Sequence, residues 1–478
     1  MRLHFIPEGA RLAAPTPFLY DNRLHVLCSK HLNDFFAEGE EDGLLLLTTE
    51  DGLHFTEHPL GIHAPSAAIV SDQNGFHLFY TGERAIGHAI SPSLTGPWKC
   101  AGPSIVPDPA IYKDSAWQDP WLWQDDTGTW HMLLGAEEKK SVGRCGCIAH
   151  CTSDNLNDWV VHPPFYAPGS LITAPASPCF FHIGETAYLL YTAQSDTLRQ
   201  HYRFRRPGSE QWEIPFEDTL DARGFSCGRF INTGSEDLLI GVVPTRNRNE
   251  WDFQPERFAG QDFNTWDTGG ALQLHALTQA EDHSLHLSIS PTVTGMLCRP
   301  NTLYWKQLNG AWTESEGSYL IEAEHFYAKL LSENSVPDVC LLSLDLECGA
   351  SLQRAALALH VDEDFAEGYY FYIEPALHRV QLRTAFRMTD QGSWIFPHEI
   401  ELEAFYSPRE DRRIHLDLYL DHDILTLYVN DANAITERLR DYTCRKFGLA
   451  AACGSARFSH IRLFTPAKAH ERREELSI

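Results

Sequence analysis

The sequence lacks long hydrophobic runs and is poor in basic residues. Among its 478 residues no stretch approaches the roughly 18 uninterrupted apolar residues of a membrane-spanning helix, so none is expected. The opening residues, MRLHFIPEGARL, do not combine a basic region with an apolar segment, so we expect no secretory signal and a cytoplasmic location.

Acidic residues greatly outnumber basic ones. The chain has 65 Asp and Glu residues against 38 Lys and Arg residues, a formal net charge of −27. Binding to phosphates requires a basic face, so we expect no nucleic-acid partner. An anionic membrane surface is disfavoured for the same reason.

The 12 cysteines do not form a convincing metal motif. Cys145, Cys147 and Cys151 lie close together in GRCGCIAHCTS, beside His150. The spacing fits an alternating strand equally well, and no second ligand pair follows at zinc spacing. We therefore predict neither a metal nor a cofactor, and reduced cysteines.

Amphipathic helices are scarce, and short apolar runs separated by Gly, Asp, Asn and Pro turns dominate instead. Several runs pair across hairpin turns such as DQNG, DDTG and HIGE. This pattern predicts an all-β protein.

A repeat organises the first 300 residues. The segment Phe76 to Trp98 matches Trp130 to Trp159: a strand ends in Tyr-Thr-Gly or Leu-Gly-Ala, and a second strand ends in Ser, a polar turn and Trp. The pattern restarts five times at a spacing of about 50 to 60 residues, as expected for propeller blades. We predict a five-bladed β-propeller over residues 1–300.

The pattern changes near Glu316. Longer alternating strands without the repeat follow, which predicts a β-sandwich over residues 316–470. Residues 301–315 are the predicted linker.

The chain resembles glycoside hydrolase family 32 over nearly its whole length. The blocks that carry the resemblance occur in the family's order: LLLLTTEDGLHFTEHPLGI, AWQDPWLWQDDTGTWHMLLGA and the closing FGLAAACGSARFSHIRLF. The family contains invertases, levanases, inulinases and sucrose-6-phosphate hydrolases. The resemblance implies a propeller followed by a sandwich, and action on fructofuranoside-type oligosaccharides.

The catalytic carboxylates of that family are missing here. The resemblance places Ala14, in Ala13-Ala14-Pro15, at the nucleophilic aspartate, and Ala176 at the glutamate that acts as general acid. A methyl group can serve neither purpose.

One carboxylate of the pattern is retained. The resemblance places Asp119 at the aspartate that holds sugar hydroxyls, with Gln118 in place of the usual arginine. Trp117 would then form an aromatic wall of the sugar pocket.

Other family positions differ in this chain. Asp221 is kept in DARGFSCGRF, Trp251 lies near a family tryptophan, and His275 replaces an arginine. Relocated catalytic groups would have to come from carboxylates or histidines near the blade edges, and the candidates are Asp114, Asp221, Glu250, Asp252, His182 and His275.

Three functions are therefore open. The leading hypothesis is a glycosidase acting on fructofuranoside-type oligosaccharides, by O-glycosyl bond cleavage or transfer, with a non-standard catalytic set that includes Asp119. The second is a catalytically silent sugar-binding pseudoenzyme. The third is a related propeller glycosidase acting on arabinofuranosides, since propellers host many functions. In each case the partner is a small oligosaccharide.

Overall fold

The computed structural model describes most of the chain. The described residues are 2–32, 43–140, 143–194, 198–222, 224–245, 269–365, 368–384, 387–388, 394–395, 402–406, 412–439 and 444–467.

The described residues fall into two compact units. The first lies within His4–Asn247 and Asp267–Leu285, and the second within Met1–Leu3 and His286–Ile478. None of the helices in the described ranges has the length and hydropathy needed to cross a membrane.

The first unit is a propeller whose described strands form five blades, as the repeat predicts. The strands are, in blade 1, β1 (Ala10–Tyr20), β2 (Arg23–Leu32), β3 (Gly43–Thr49) and β4 (Thr56–Pro59); in blade 2, β5 (Ala67–Asp72), β6 (Gly75–Thr81), β7 (Ile86–Ser91) and β8 (Lys99–Cys100); in blade 3, β9 (Tyr112–Gln124), β10 (Trp130–Glu138), β11 (Gly146–Ser153) and β12 (Val160–Tyr166); in blade 4, β13 (Ala176–Ile183), β14 (Thr186–Ala193) and β15 (Arg199–Arg205); and in blade 5, β16 (Ser226–Asn232), β17 (Asp237–Pro244) and β18 (Gly270–Gln279).

The sequence-predicted hairpins are present and fix the register of the blades. Asp72 pairs with Gly75 across the β5–β6 turn, where the Asp72 carboxylate accepts the backbone N–H of Asn74. Such Asx turns favour tight chain reversal. The ring of blades closes where Leu12 of β1 pairs with Gly270 of β18.

The propeller core lies between successive blades. Each inter-blade layer combines residues from two neighbouring sheets, as when Phe79 of blade 2 clusters with Met132 and Leu134 of blade 3. All three side chains are fully buried. Each blade therefore presents apolar residues on both faces, as expected of a sheet packed between two others.

The second unit is the sandwich that the sequence predicts. The strand β19 (Leu285–Ile289) pairs with β18 in the sheet of blade 5. The elements of the sandwich are α1 (Pro291–Met296), β20 (Arg299–Asn301), β21 (Trp305–Asn309), β22 (Trp312–Ser315), β23 (Ser318–Ser332), β24 (Val339–Cys348), β25 (Arg354–Leu359), β26 (Tyr369–Glu374), β27 (Arg379–Thr384), β28 (Arg387–Met388), β29 (Trp394–Ile395), β30 (Leu402–Phe405), β31 (Arg413–Asp421), β32 (Ile424–Val429), β33 (Asn433–Arg438) and β34 (Phe447–Thr465).

The long strand β34 joins the two halves of the sandwich. Its first part pairs with β25 and its second part with β24, so the sheet order runs β30-β27-β26-β25-β34-β24-β31-β32-β33. Gly454 lies at the change of partner with a φ of 139°, and a Cβ there would be 2.5 Å from the backbone of Leu352. Glycine is required at this bend.

The segment predicted as a linker contains strands. β21 and β22 lie within residues 301–315, and both pair with β23 in the second unit.

Two blades carry the same histidine relay, which is buried in blade 2 and partly buried in blade 3. In blade 2 His77 contacts Asp72 (Nε2 to Oδ1, 3.3 Å) and His88 (Nδ1 to Nε2, 3.0 Å). In blade 3 His131 contacts Asp125 (3.2 Å) and His150 (2.9 Å) in the same way.

The histidine farther from the aspartate in each relay, His88 or His150, is neutral at neutral pH. Burial, and then the neighbouring histidine, lowers the pKa of His88 and of His150 from 6.5 to about 4. Protonating either ring places an uncompensated charge inside a blade.

We expect propeller stability to fall as the pH decreases from about 6.5 to about 4. In this window the unfolded chain binds protons that folded His88 and His150 do not, so acid favours unfolding. Lowering the pKa of one ring from 6.5 to about 4 corresponds to a loss of about 3 kcal/mol in the free energy of unfolding on acidification. Urea unfolding at a series of pH values, followed by tryptophan fluorescence, measures this dependence.

The His88→Gln variant should show a shallower dependence over the same window, because its side chain does not titrate. His378→Gln, at an exposed position in the sandwich, serves as the control and should retain the wild-type slope. If the free energy of unfolding depended on pH equally in wild type and His88→Gln, the assignment of this dependence to His88 would be contradicted.

Candidate functional site

Four inner strands of the propeller share one irregularity. Each contains a residue with a positive φ followed by Pro or Gly, at a point where the strand register shifts. The residues are Ala14 (φ 48°) in β1, Asp119 (60°) in β9, Ser177 (47°) in β13 and Cys227 (57°) in β16. A non-glycine residue in this region costs about 1–3 kcal/mol and persists only where its surroundings hold it.

Side chains of the preceding blade hold three of these strained residues. Thr81 Oγ1 accepts the backbone N–H of Asp119 (3.0 Å), and Thr192 Oγ1 accepts that of Cys227 (3.1 Å). Between them, Asp119 Oδ2 accepts the N–H of Ser177 (2.8 Å). Each bond joins one blade to the first strand of the next blade.

In blade 3 the acceptor for the next blade comes from Asp119, because a glycine lies where blades 2 and 4 have a threonine. Gly135 pairs with Gln118 in the same register as Thr192 pairs with Ala176. A Cβ at Gly135 would lie 2.0 Å from the carbonyl oxygen of Pro175, so no side chain fits there. The carboxylate of Asp119 supplies the missing acceptor.

Arg229 of β16 completes the connections between blades. Its guanidinium is fully buried and donates to Thr16 Oγ1 of blade 1 and to the carbonyl oxygen of Asp119 (3.1 Å) of blade 3. Thr16 Oγ1 in turn donates to the carbonyl oxygen of Ala67 in blade 2 (2.8 Å). Hydrogen bonds thus link all five blades in a closed circuit, which we call the axial circuit.

The charge of Arg229 is partly offset within this circuit. Burial lowers the pKa of its guanidinium, while the charge of Asp119 acts in the opposite direction. The indole of Trp121 lies 5.6 Å from the guanidinium carbon, a cation–π contact. Among the described residues Arg229 Nε has no hydrogen-bond partner.

One oxygen of Asp119 remains available for a ligand. The residue is 9% exposed, and Oδ2 is committed to Ser177. In the described part of the chain no partner contacts Oδ1. A partly desolvated carboxylate oxygen of this kind is a strong acceptor for hydroxyl groups.

The two neighbours of Asp119 singled out in the sequence differ in accessibility. Gln118 is half-buried and pairs with Gly135. Trp117 is only 3% exposed; its Nε1 donates to the carbonyl oxygen of Ile105, and its ring packs against Tyr112. Trp117 is a core residue and offers no open ring face to a sugar.

Asp221 and His275 are brought together, but away from solvent. Their side chains are 0% exposed, and Asp221 Oδ2 lies 3.2 Å from His275 Nε2. The other oxygen of Asp221 accepts the N–H of Ala222 (2.6 Å), and Phe225 packs edge-on against the imidazole. The pair stabilises blade 5 internally.

The structure places the remaining candidates apart from Asp119 or does not describe them. Asp114 has a 78% exposed side chain facing Arg84 (3.4 Å), and His182 lies exposed near the β13–β14 turn. Glu250, Trp251 and Asp252 lie outside the described residues.

The two alanines occupy informative positions. Ala14 lies at the same strained place in β1 as Asp119 in β9, and Ala176 immediately precedes the strained Ser177. Within the described ranges no group of three or more His, Cys, Asp or Glu side chains is arranged to hold a metal ion.

Sequence reasoning missed Thr81, Ser177, Thr192 and Arg229. A usable signal existed: Ala-Pro, Asp-Pro, Ser-Pro and Cys-Gly dipeptides recur within the first strands of four blades, and Tyr-Thr recurs at the end of two second strands. The role of each pair becomes visible only once the strand register is known.

Comparison with family models and with curated proteins finds no match to this chain. Solved structures do match. Sucrose-6-phosphate hydrolase from Lactobacillus gasseri is 14% identical, with a TM-score of 0.67 and coverage of 98% of this chain and 93% of that one. Exo-inulinase from Aspergillus awamori is 14% identical, with a TM-score of 0.68 and 98% coverage of both chains.

A family 32 β-fructofuranosidase from Bombyx mori is 13% identical, with a TM-score of 0.65 and coverage of 98% of this chain and 94% of that one. The protein therefore has the fold of family 32 glycoside hydrolases, as the sequence predicts.

The axial circuit predicts a specific stability difference at Thr192. Thr192→Val keeps the shape but leaves the buried N–H of Cys227 without an acceptor, which should lower the free energy of unfolding of the propeller by about 1–3 kcal/mol. Thr192→Ser keeps the hydroxyl and should lose clearly less. Equal losses in the two variants, measured by urea unfolding, would show that the hydrogen bond does not matter.

Proposed function

We propose that this protein binds the terminal furanose of a fructofuranoside-type oligosaccharide at Asp119 and does not cleave it by the double displacement of family 32. The observation that carries the proposal is the matched pair of strained positions: one holds Asp119 with an unengaged oxygen, and the other holds a methyl group at Ala14.

The mechanism of retaining glycosidases supports the proposal that this site does not cleave its ligand by double displacement. Double displacement requires two carboxyl groups about 5–5.5 Å apart, one as nucleophile and one as acid. The resemblance assigns those roles to Ala14 and Ala176, and neither side chain can transfer a proton or attack a carbon. Of the other described candidates, Asp221 is sealed against His275 and Asp114 faces Arg84.

The likeness to solved structures supports the class of sugar. The matching proteins are named for action on sucrose 6-phosphate, β-fructofuranosides and inulin. At 13–14% identity this likeness carries the fold, and the furanose specificity is our inference from the retained Asp119.

Hydrolysis by relocated groups is the second candidate. The match extends over 98% of the chain and includes both units, as in working enzymes. An inverting reaction tolerates carboxyl groups about 6.5–9.5 Å apart, and Asp119 could then act as base through its unengaged oxygen.

Calorimetric titration with sucrose, sucrose phosphate, short inulin and levan oligomers and arabino-oligosaccharides tests the proposal. We expect one fructofuranoside to bind and Asp119→Asn to weaken that binding by about tenfold or more, since a hydrogen bond to a charged group is lost. Asp158→Asn, an exposed carboxylate in a turn of blade 3, is the matched control and should bind normally.

Chromatography of the same mixtures after prolonged incubation separates the two candidate functions. Intact oligosaccharide supports a binding protein. Fructose released by the wild type and not by Asp119→Asn would overturn the proposal in favour of hydrolysis.

A further inference from the structure

Four chemically active side chains meet at the edge of blade 3, where the early part of β9 departs from regular pairing with β10. Lys113 Nζ donates to Cys145 Sγ (2.8 Å) and to Glu137 Oε2 (3.1 Å). Ser115 Oγ donates to the same carboxylate oxygen (3.1 Å), and the Cys145 thiol lies 3.7 Å from it. We call these four residues the Lys113 cluster.

The Lys113 cluster is reachable from solvent. The Lys113 side chain is 35% exposed, and Lys113 and Ser115 line a cavity of about 690 Å³ together with Tyr112 and Lys139. Cys145 itself is 4% exposed, which admits only a small reagent.

The environment of Cys145 differs from that of its neighbours. Burial raises the pKa of the Cys147 and Cys151 thiols to about 12, and both lie in the core between blades 2 and 3. Cys145 instead lies against a lysine amine. Cysteines beside basic side chains are the ones that react with oxidants, whereas apolar burial makes cysteines inert.

We propose that Lys113 and Cys145 form an oxidative modification site, in which hydrogen peroxide couples Nζ to Sγ as a lysine–cysteine sulfenamide. The inference does not depend on sugar binding.

The coupling balances in two steps. First, Cys145 Sγ attacks one peroxide oxygen: an S–O bond forms, the O–O bond breaks, and water leaves with the thiol proton, giving a sulfenic acid. Second, Lys113 Nζ attacks that sulfur: an N–S bond forms, the S–O bond breaks, and a second water leaves. One peroxide is reduced for one amine and one thiol oxidised together.

Glu137 makes the second step possible. Its carboxylate lies 3.1 Å from the amine and can take one ammonium proton before attack and return it to the departing hydroxide. The nitrogen of the new N–S bond then releases its remaining extra proton to solvent. Burial opposes ionisation of Glu137, but hydrogen bonds from Lys113 and Ser115 lower its pKa, so the carboxylate is present as a base.

The link would connect two segments that lead to the candidate site. Lys113 precedes Gln118 and Asp119 on β9. The residue after Cys145 is Gly146, where a Cβ would lie 1.9 Å from the carbonyl oxygen of Thr173, three residues before Ala176. Oxidation would therefore tie β9, which carries Asp119, to the segment that contacts Thr173.

Mass spectrometry of the full-length protein tests the proposal. After treatment with hydrogen peroxide, acid quenching and digestion without reductant, we expect a peptide pair joined through Lys113 and Cys145, lighter by two hydrogen atoms than the two separate peptides. Dithiothreitol should release both peptides unmodified.

Two variants identify the side chains that form the crosslink. Lys113→Arg keeps the positive charge but lacks a nucleophilic amine, so the crosslink should disappear and dimedone should trap a sulfenic acid on Cys145. Cys145→Ser should give neither product. A wild-type protein in which Cys145 remains a thiol, becomes an unlinked sulfenic or sulfinic acid, or joins another cysteine would overturn the proposal.

Discussion

The propeller depends on one constraint: the strained residue in the first strand of a blade must donate its backbone N–H to the blade before it. Apart from the pairing of β1 with β18, strands form their backbone hydrogen bonds within a blade, so successive blades are joined mainly by side chains. Thr81, Asp119 and Thr192 provide the acceptors, and Arg229 closes the circuit back to Thr16. These buried bonds are costly to leave unmade, which explains how strained residues persist around the axis.

This constraint gives Asp119 a structural function that Ala14 and Ala176 do not have. Asp119 joins blades 3 and 4 because Gly135 cannot carry a side chain, so the carboxylate has a structural task whether or not a ligand is present. Ala14 and Ala176 carry no side-chain bond of the circuit. The fold therefore does not require carboxylates at those positions, which is consistent with our proposal of a site that binds a sugar through Asp119 without double displacement.

Much of the fold could be predicted from the sequence, because turn residues and strand lengths repeat visibly. The hairpins at DQNG, DDTG and HIGE and the change of pattern before the sandwich are properties of local chain segments. The candidate site was less accessible to such reasoning. A tryptophan in the core and one on a sugar produce the same pattern, so the sequence predicts a pocket wall at Trp117, whose ring in fact packs on Tyr112. Asp221 and His275 are 54 residues apart in the sequence, so no local pattern predicts their buried contact.

The central claim is that Asp119 serves the fold through one oxygen and a sugar through the other. The most direct test is a crystal structure of the wild-type protein grown with the fructofuranoside that binds best. We expect a furanose hydroxyl within hydrogen-bond distance of Asp119 Oδ1, an unbroken glycosidic bond, and Oδ2 still accepting the N–H of Ser177. A sugar bound elsewhere, or a cleaved product at Asp119, would contradict it.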